Sequence, residues 1–350
     1  MAKKSSAIQS LESVGETQWK TLDPFLFCAH HKDHFPASSS DGPEDLGLAG
    51  PELKGRTLGS DFSNRNGYSM YHGEGGIPGF PNHPHFGFET ITVVTRGFVD
   101  HCDSVGQAAR YGEGDVQWLT AGNGIQHSEM FPLVHSDKPN PTELFQIWLN
   151  MPAASKTAPP HFTIAWHEDQ PRFEQGGAVL QLVGGSFMGM EGVPPPPNSY
   201  AAQLDSQVVV ARISLQPGAA ITLPAAQEAG LNRVAYFYSG KNLTIDTTVV
   251  EHCNSMAKLR ADREVTLRAS TGVCELLFLQ GKPIGEPVVQ HGPFVCANKK
   301  QLEQVFARFE KTQFGGWKWK RPDPVHSRAQ GRFYQLKGGK KIEPPRLDNE

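Results

Sequence analysis

Apolar residues along this chain come in short runs, often alternating with polar ones and broken by Gly, Pro, Asn and Ser. That rhythm predicts β-strands joined by turns, with little helix. The run Phe25-Leu26-Phe27-Cys28-Ala29 reads as a buried strand. His30, His31 and His34 follow it as a polar strand end leading into a loop, not as a second metal site. Residues 37–60 read as loop, and the glycine-rich stretch from Gly73 to Pro81 as a turn-rich lead into the next strand. That stretch lacks the Gly-Lys-Ser/Thr ending of a phosphate loop. Phe145, Ile147 and Leu149 share one face of a further strand. In the second half, strands are predicted at 178–183, 208–215, 233–238, 243–245, 264–267 and 275–280. One helix is signalled, with Asn298 as its cap, Gln301 three residues on, and Leu302, Val305, Phe306 and Phe309 at helical spacing. Gly315 and Gly316 are expected to end it.

Composition reinforces this picture. The chain has 350 residues, 38% of them hydrophobic, with 36 Gly and 27 Pro, which suits two all-β domains rich in turns. The expected organisation is a flexible arm over 1–20, a first barrel over 21–155, a second over 156–316 and a basic extension over 317–350. A formal charge of −3 gives no whole-chain case for nucleic acid or membrane binding. No apolar run approaches the roughly 18 residues that span a bilayer. The basic start is not followed by an apolar segment, so it does not read as a secretory signal. Five scattered cysteines, in no C-x-x-C pair, argue against a disulfide framework and for a reducing cytoplasm. The expected state is a cytoplasmic monomer.

Candidate chemistry concentrates between Pro81 and Glu129. His83-Pro84-His85 and His127-Ser128-Glu129 each place two metal-ligand side chains at i and i+2, on one face of a strand. Three imidazoles and a carboxylate suit iron, manganese, copper, nickel, cobalt or zinc, and disfavour magnesium and calcium. The same parity puts Glu89 on the face of His83 and His85, so spacing does not exclude it as a ligand.

Several segments are similar to the pirin family of the cupin superfamily. They are His83-Pro84-His85 with Gly87-Phe88-Glu89-Thr90; His101-Cys102-Asp103-Ser104; Gly114-Asp115-Val116-Gln117-Trp118 running on to His127-Ser128-Glu129; and Gln146-Ile147-Trp148-Leu149-Asn150. Gly285-Glu286-Pro287 and Gly292-Pro293-Phe294 add to them. The resemblance implies a bicupin of two β-barrel (double-stranded β-helix) domains with a short C-terminal helix. It also implies one divalent metal, usually Fe(II), in the first barrel only. Its ligands would be His83, His85, His127 and Glu129, with Glu89 in support and His101 as a neighbour. Two activities compete. One is a quercetin 2,3-dioxygenase that opens a small aromatic flavonol, with Glu129 as its catalytic base. The other is a redox-sensing regulator that binds a protein partner, a transcription factor or metabolic enzyme. Phe86 stands where the family often has Arg, and the basic tail lies outside the family pattern.

Overall fold

A computed structural model describes residues 6–71 and 76–345. The arm's first five residues, Gly73 to Gly75 of the glycine-rich lead, and Arg346 of the tail lie outside the described residues. The chain forms two compact units. Of the described residues, one comprises 6–29, 147–152 and 169–285; the other comprises 30–71, 76–146, 153–168 and 286–345. Two strands, Phe25–Phe35 and Asn140–Asn150, change unit along their length. Each unit includes a segment from the other end of the chain. Ser, Thr, Ala and Pro at 153–160 look like a linker by composition, yet they sit within the second of these units.

The unit built largely from the C-terminal half has a seven-stranded antiparallel sheet. Its order is Ile8–Ser13, Ser255–Leu259, Asn232–Ser239, Cys274–Gly281, Val209–Leu215, Ala178–Gly184 and Arg172–Gln175. A four-stranded sheet joins Ala220–Leu223, Val265–Ala269, Lys241–Ile245 and Thr248–His252. Alternate residues of both, among them Leu180, Ile213, Phe237, Leu243, Leu267 and Leu276, form one apolar core. The predicted strands of this half match within two residues. Residues 8–13, expected in a loose arm, instead pair with Ser255–Leu259. Isolated polar residues there hid a strand whose partner lies about 250 positions away.

The other unit carries the candidate site. One of its sheets runs Lys341–Ile342, Phe333–Gln335, Ala108–Gly112, Phe98–Asp103, Ile125–Met130 and Gly79–His85. A facing sheet contains His161–Ala165, Val116–Thr120, Phe88–Arg96, Asn140–Asn150 and Phe25–Phe35. Val94, Val99, Tyr111, Leu119, Ile125, Phe131 and Leu144 fill its core. The histidines after Ala29 lie within a strand that continues to Phe35, not in a loop. There His30 Nε2 meets Glu143 Oε1 at 3.0 Å, so the polar run is satisfied by a neighbouring strand.

The helix spans Lys299–Thr312. Asn298 Oδ1 accepts from the Gln301 N–H at 2.9 Å, and Gln301 Oε1 accepts from the Ala297 N–H at 2.8 Å. The left-handed turn comes at Gln313 and Phe314, two residues before the glycines expected to supply it. Phe314 joins Phe86, Phe294 and Val305 in the cluster that seats the helix. Phe86 is therefore an anchor for the helix, with the Arg308 guanidinium 5.3 Å from its ring centroid. Four cysteines are buried, Cys253 is half-buried, and all five are free thiols.

Candidate metal centre

Two adjacent strands build the site. Gly79–His85 runs antiparallel to Ile125–Met130, with His83 opposite His127 and Phe80 opposite Glu129. Three residues on the first strand therefore span two on the second, which is a β-bulge at Pro81 and Asn82. Proline has no N–H to give to a ladder, so a bulge is where a strand tolerates it. Because directly opposed residues share a face, the bulge brings both histidines of the first strand to the face of His127.

The three rings converge through Nε2. His83 Nε2 lies 3.1 Å from His85 Nε2 and 3.1 Å from His127 Nε2. The ring planes are steeply inclined, at 86° for His83 and His85 and 69° for His85 and His127. His83 Nδ1 donates to the Pro81 carbonyl at 2.8 Å, which leaves the lone pair on Nε2. Burial lowers the basicity of all three, and most for His85 and His127, where the neighbouring imidazoles add to it. For His83 the Glu129 carboxylate partly opposes that effect. Neutral imidazoles with converging lone pairs fit a bound cation. Among the described residues they form a group that could hold a metal ion. His83 is half-buried and the other two are buried, so His83 is the one nearest solvent.

Glu129 stands beside this trio, with Oε2 3.6 Å from His127 Nε2. Two neutral donors orient its carboxylate. Thr92 Oγ1 donates to Oε1 at 3.1 Å, and Gln146 Nε2 donates to Oε2 at 2.6 Å. Neither donor was given a role at the site from the sequence, since both come from the facing sheet and only folding brings them near. Tyr111 is fully buried close by, and burial reinforced by the Glu129 charge pushes its phenol well up.

Glu89 is elsewhere. The strand holding the His pair ends at His85, and the next begins at Phe88, in the other sheet. The crossing is made at Gly87, with φ +80°, where an added Cβ would sit 2.1 Å from the Val295 carbonyl. Parity counted across Gly87 therefore has no structural meaning. Glu89 accepts hydrogen bonds from Trp118 Nε1 at 2.8 Å and Thr120 Oγ1 at 3.3 Å; the close group of possible ligands is the three histidines, without either glutamate. His101 is a buried neighbour, as expected. Its ring centroid is 5.4 Å from that of His127, and its Nε2 lies 3.4 Å from Asp103 Oδ2. Phe88 packs edge-on to His85 at 5.0 Å. His30, His31 and His34 are not part of any such group among the described residues.

Comparison with known proteins places this arrangement. The family model for pirin matches residues 51–149, and that for the pirin C-terminal cupin domain matches residues 210–315. A Pseudomonas aeruginosa protein named putative quercetin 2,3-dioxygenase PA3240 is 34% identical over 236 residues, covering 65% of this chain and 78% of that one. A pirin-like protein of Solanum lycopersicum is 31% identical, covering 66% of this chain and 75% of the relative. Among solved structures, the 1.88 Å quercetin 2,3-dioxygenase of Acinetobacter baumannii superimposes with a TM-score of 0.65 at 23% identity. That match covers 89% of this chain and 96% of the other, and shows a shared fold. Two cupin-type domains, mostly of β-strand, and the motif set around His83 and His127 have one common source: the chain belongs to the pirin family.

Proposed function

We propose that His83, His85, His127 and Glu129 hold one divalent transition metal, Fe(II) in the first instance. On this reading the protein is a dioxygenase that opens flavonols of the quercetin type. The observation that carries the metal reading is the meeting of three imidazole Nε2 atoms, with Glu129 Oε2 3.6 Å from one of them. The names of the Pseudomonas and Acinetobacter proteins support the substrate class. When bound, a redox-active metal with open positions supplies binding of the flavonol oxygen and reaction with dioxygen. The chain's own residues do the rest. Glu129 takes the proton of the flavonol 3-hydroxyl, since a carboxylate beside the reacting oxygen is a competent base. Thr92 and Gln146 hold that carboxylate in one orientation. The Pro81 carbonyl keeps His83 in the tautomer that presents Nε2. Phe88 packs edge-on against His85 and Phe80 against His83, which fixes the two rings.

The test is turnover on protein of known metal content, reconstituted in turn with Fe(II), Mn(II), Co(II), Ni(II) or Cu(II). Quercetin loss and oxygen uptake are followed together. Matched, metal-dependent loss is expected. Glu129→Gln should retain metal and lose about a hundredfold or more in kcat, the usual range for a general base. Stoichiometric metal without turnover under any loading would reject the flavonol reading and favour the regulatory one.

A further inference from the structure

The C-terminal extension, outside both family models, folds back over the sheet that carries the histidines. Phe333–Gln335 pairs with Ala108–Gly112 at one edge of that sheet. At the opposite edge the Asn82 N–H, turned out of the ladder by the bulge, donates to the Pro322 carbonyl at 2.7 Å. Between the edges, Trp319 Nε1 donates to the Asp103 carbonyl at 2.8 Å. These two contacts fall beside the ligands. Asn82 precedes His83, and Asp103 is the cross-strand partner of His127.

The extension is held at many points. Arg110 forms a buried two-pronged ion pair with Asp100, at 2.6 and 2.7 Å. The same guanidinium donates to the carbonyls of His326, Ser327 and Gln330, and Asp100 accepts from the His326 N–H. Arg332 pairs with Asp115 and Glu168. Cys102, Ala108 and Phe333 pack with Trp317 and Trp319 on the face opposite the imidazoles. Arg321 and Asp323 pair across Pro322, and Trp317 Nε1 donates to the Arg321 carbonyl, which shapes the turn presenting the Pro322 oxygen. Two of the tail's basic residues, Arg321 and Arg332, are thus engaged in ion pairs within the chain.

We propose that residues 317–342 form a strap that positions the metal ligands, by gripping the bulge at Asn82 and the strand opposite His127. This rests on the metal reading above. A metal that needs His83 in place binds best when the strap is docked, and linkage requires the metal to favour docking by the same factor. A strap that merely covers the sheet would lower stability when loosened and leave affinity and coordination unchanged.

The experiment compares the full chain with Asp323→Ala, a change outside the proposed ligands that loosens the turn at Pro322, and Asp323→Glu as the conservative control. Cu(II) affinity, the Cu(II) electron paramagnetic resonance spectrum and apo-protein thermal unfolding are measured. Backbone amide hydrogen exchange of the wild type is followed with and without Ni(II). Expected is Cu(II) affinity ten- to a hundredfold weaker in Asp323→Ala, the range for groups that orient a ligand. A spectrum altered by a displaced imidazole, partial recovery in Asp323→Glu, and slower exchange at Asn82 and across 319–335 when Ni(II) binds are also expected. Equal affinity and an unchanged spectrum in a folded Asp323→Ala would overturn the strap and leave the metal reading standing. Should the variant not fold, exchange at Asn82 that is indifferent to Ni(II) would overturn it equally. A wild-type chain that binds neither ion would overturn both.

Discussion

His83 illustrates how little of a ligand's environment is local. Its type and its i+2 spacing to His85 are visible along the chain, but its tautomer is set by the Pro81 carbonyl and its direction by a bulge. Glu129 and Glu89 make the same point as a pair. Both are buried carboxylates near the histidines in sequence. Glu129 Oε2 lies 3.6 Å from His127 Nε2 and its carboxylate is oriented by Thr92 and Gln146, while Glu89 accepts from an indole and a hydroxyl of its own sheet. His127→Ala should therefore abolish most metal binding, whereas Glu89→Gln should keep the metal and lose about 1–3 kcal/mol of stability. Metal content by elemental analysis, with urea unfolding alongside, separates the two. Loss of metal in Glu89→Gln would restore that residue as a ligand.

Strands and the helix were legible because their periodicity is local. The strand positions of the second half and the Asn298 cap agree closely with the pattern of apolar residues. Elements that depend on distant partners were not. Ile8–Ser13 exposes most of its side chains and is a strand only because Ser255–Leu259 offers it an edge. Phe333–Gln335 is three residues long and exists as an extension of another strand. Gly87 is where two elements meet, and its role depends on the Val295 carbonyl, far along the chain. Gly87→Ala combines a left-handed φ with a Cβ 2.1 Å from a backbone oxygen. It should destabilise the protein by at least about 2 kcal/mol. A denaturant midpoint within experimental error of wild type would show that the sheet crossing has slack there.

At the scale of the whole molecule, buried polar groups make stability depend on pH. His31 Nδ1 donates to the Tyr71 hydroxyl at 3.1 Å, and that hydroxyl donates to Asp33 Oδ2 at 3.0 Å. Burial, aided by His30, lowers the His31 pKa to about 4 from an ordinary 6.5, so the folded chain keeps it neutral. The unfolded chain takes up that proton below pH 6.5, and stability is lost as pH falls from there toward 4. Asp33, raised by burial to about 6, works the other way and offsets part of the loss. His31→Gln removes only the first contribution, so its stability should fall less steeply over the same window, by up to about 3 kcal/mol. Urea midpoints at several pH values between 7 and 4 test this; parallel curves for the two proteins would refute it. The sequence by itself determined the all-β class, the paired ligand-type residues and the family, because each rests on spacing within one strand or on residue identity. Tertiary structure alone decided which donors orient Glu129, which segments complete each unit, and that the basic tail lies along the histidine-bearing sheet. Those outcomes depend on strand partners and crossings far apart in the chain, where the two-residue period carries no information.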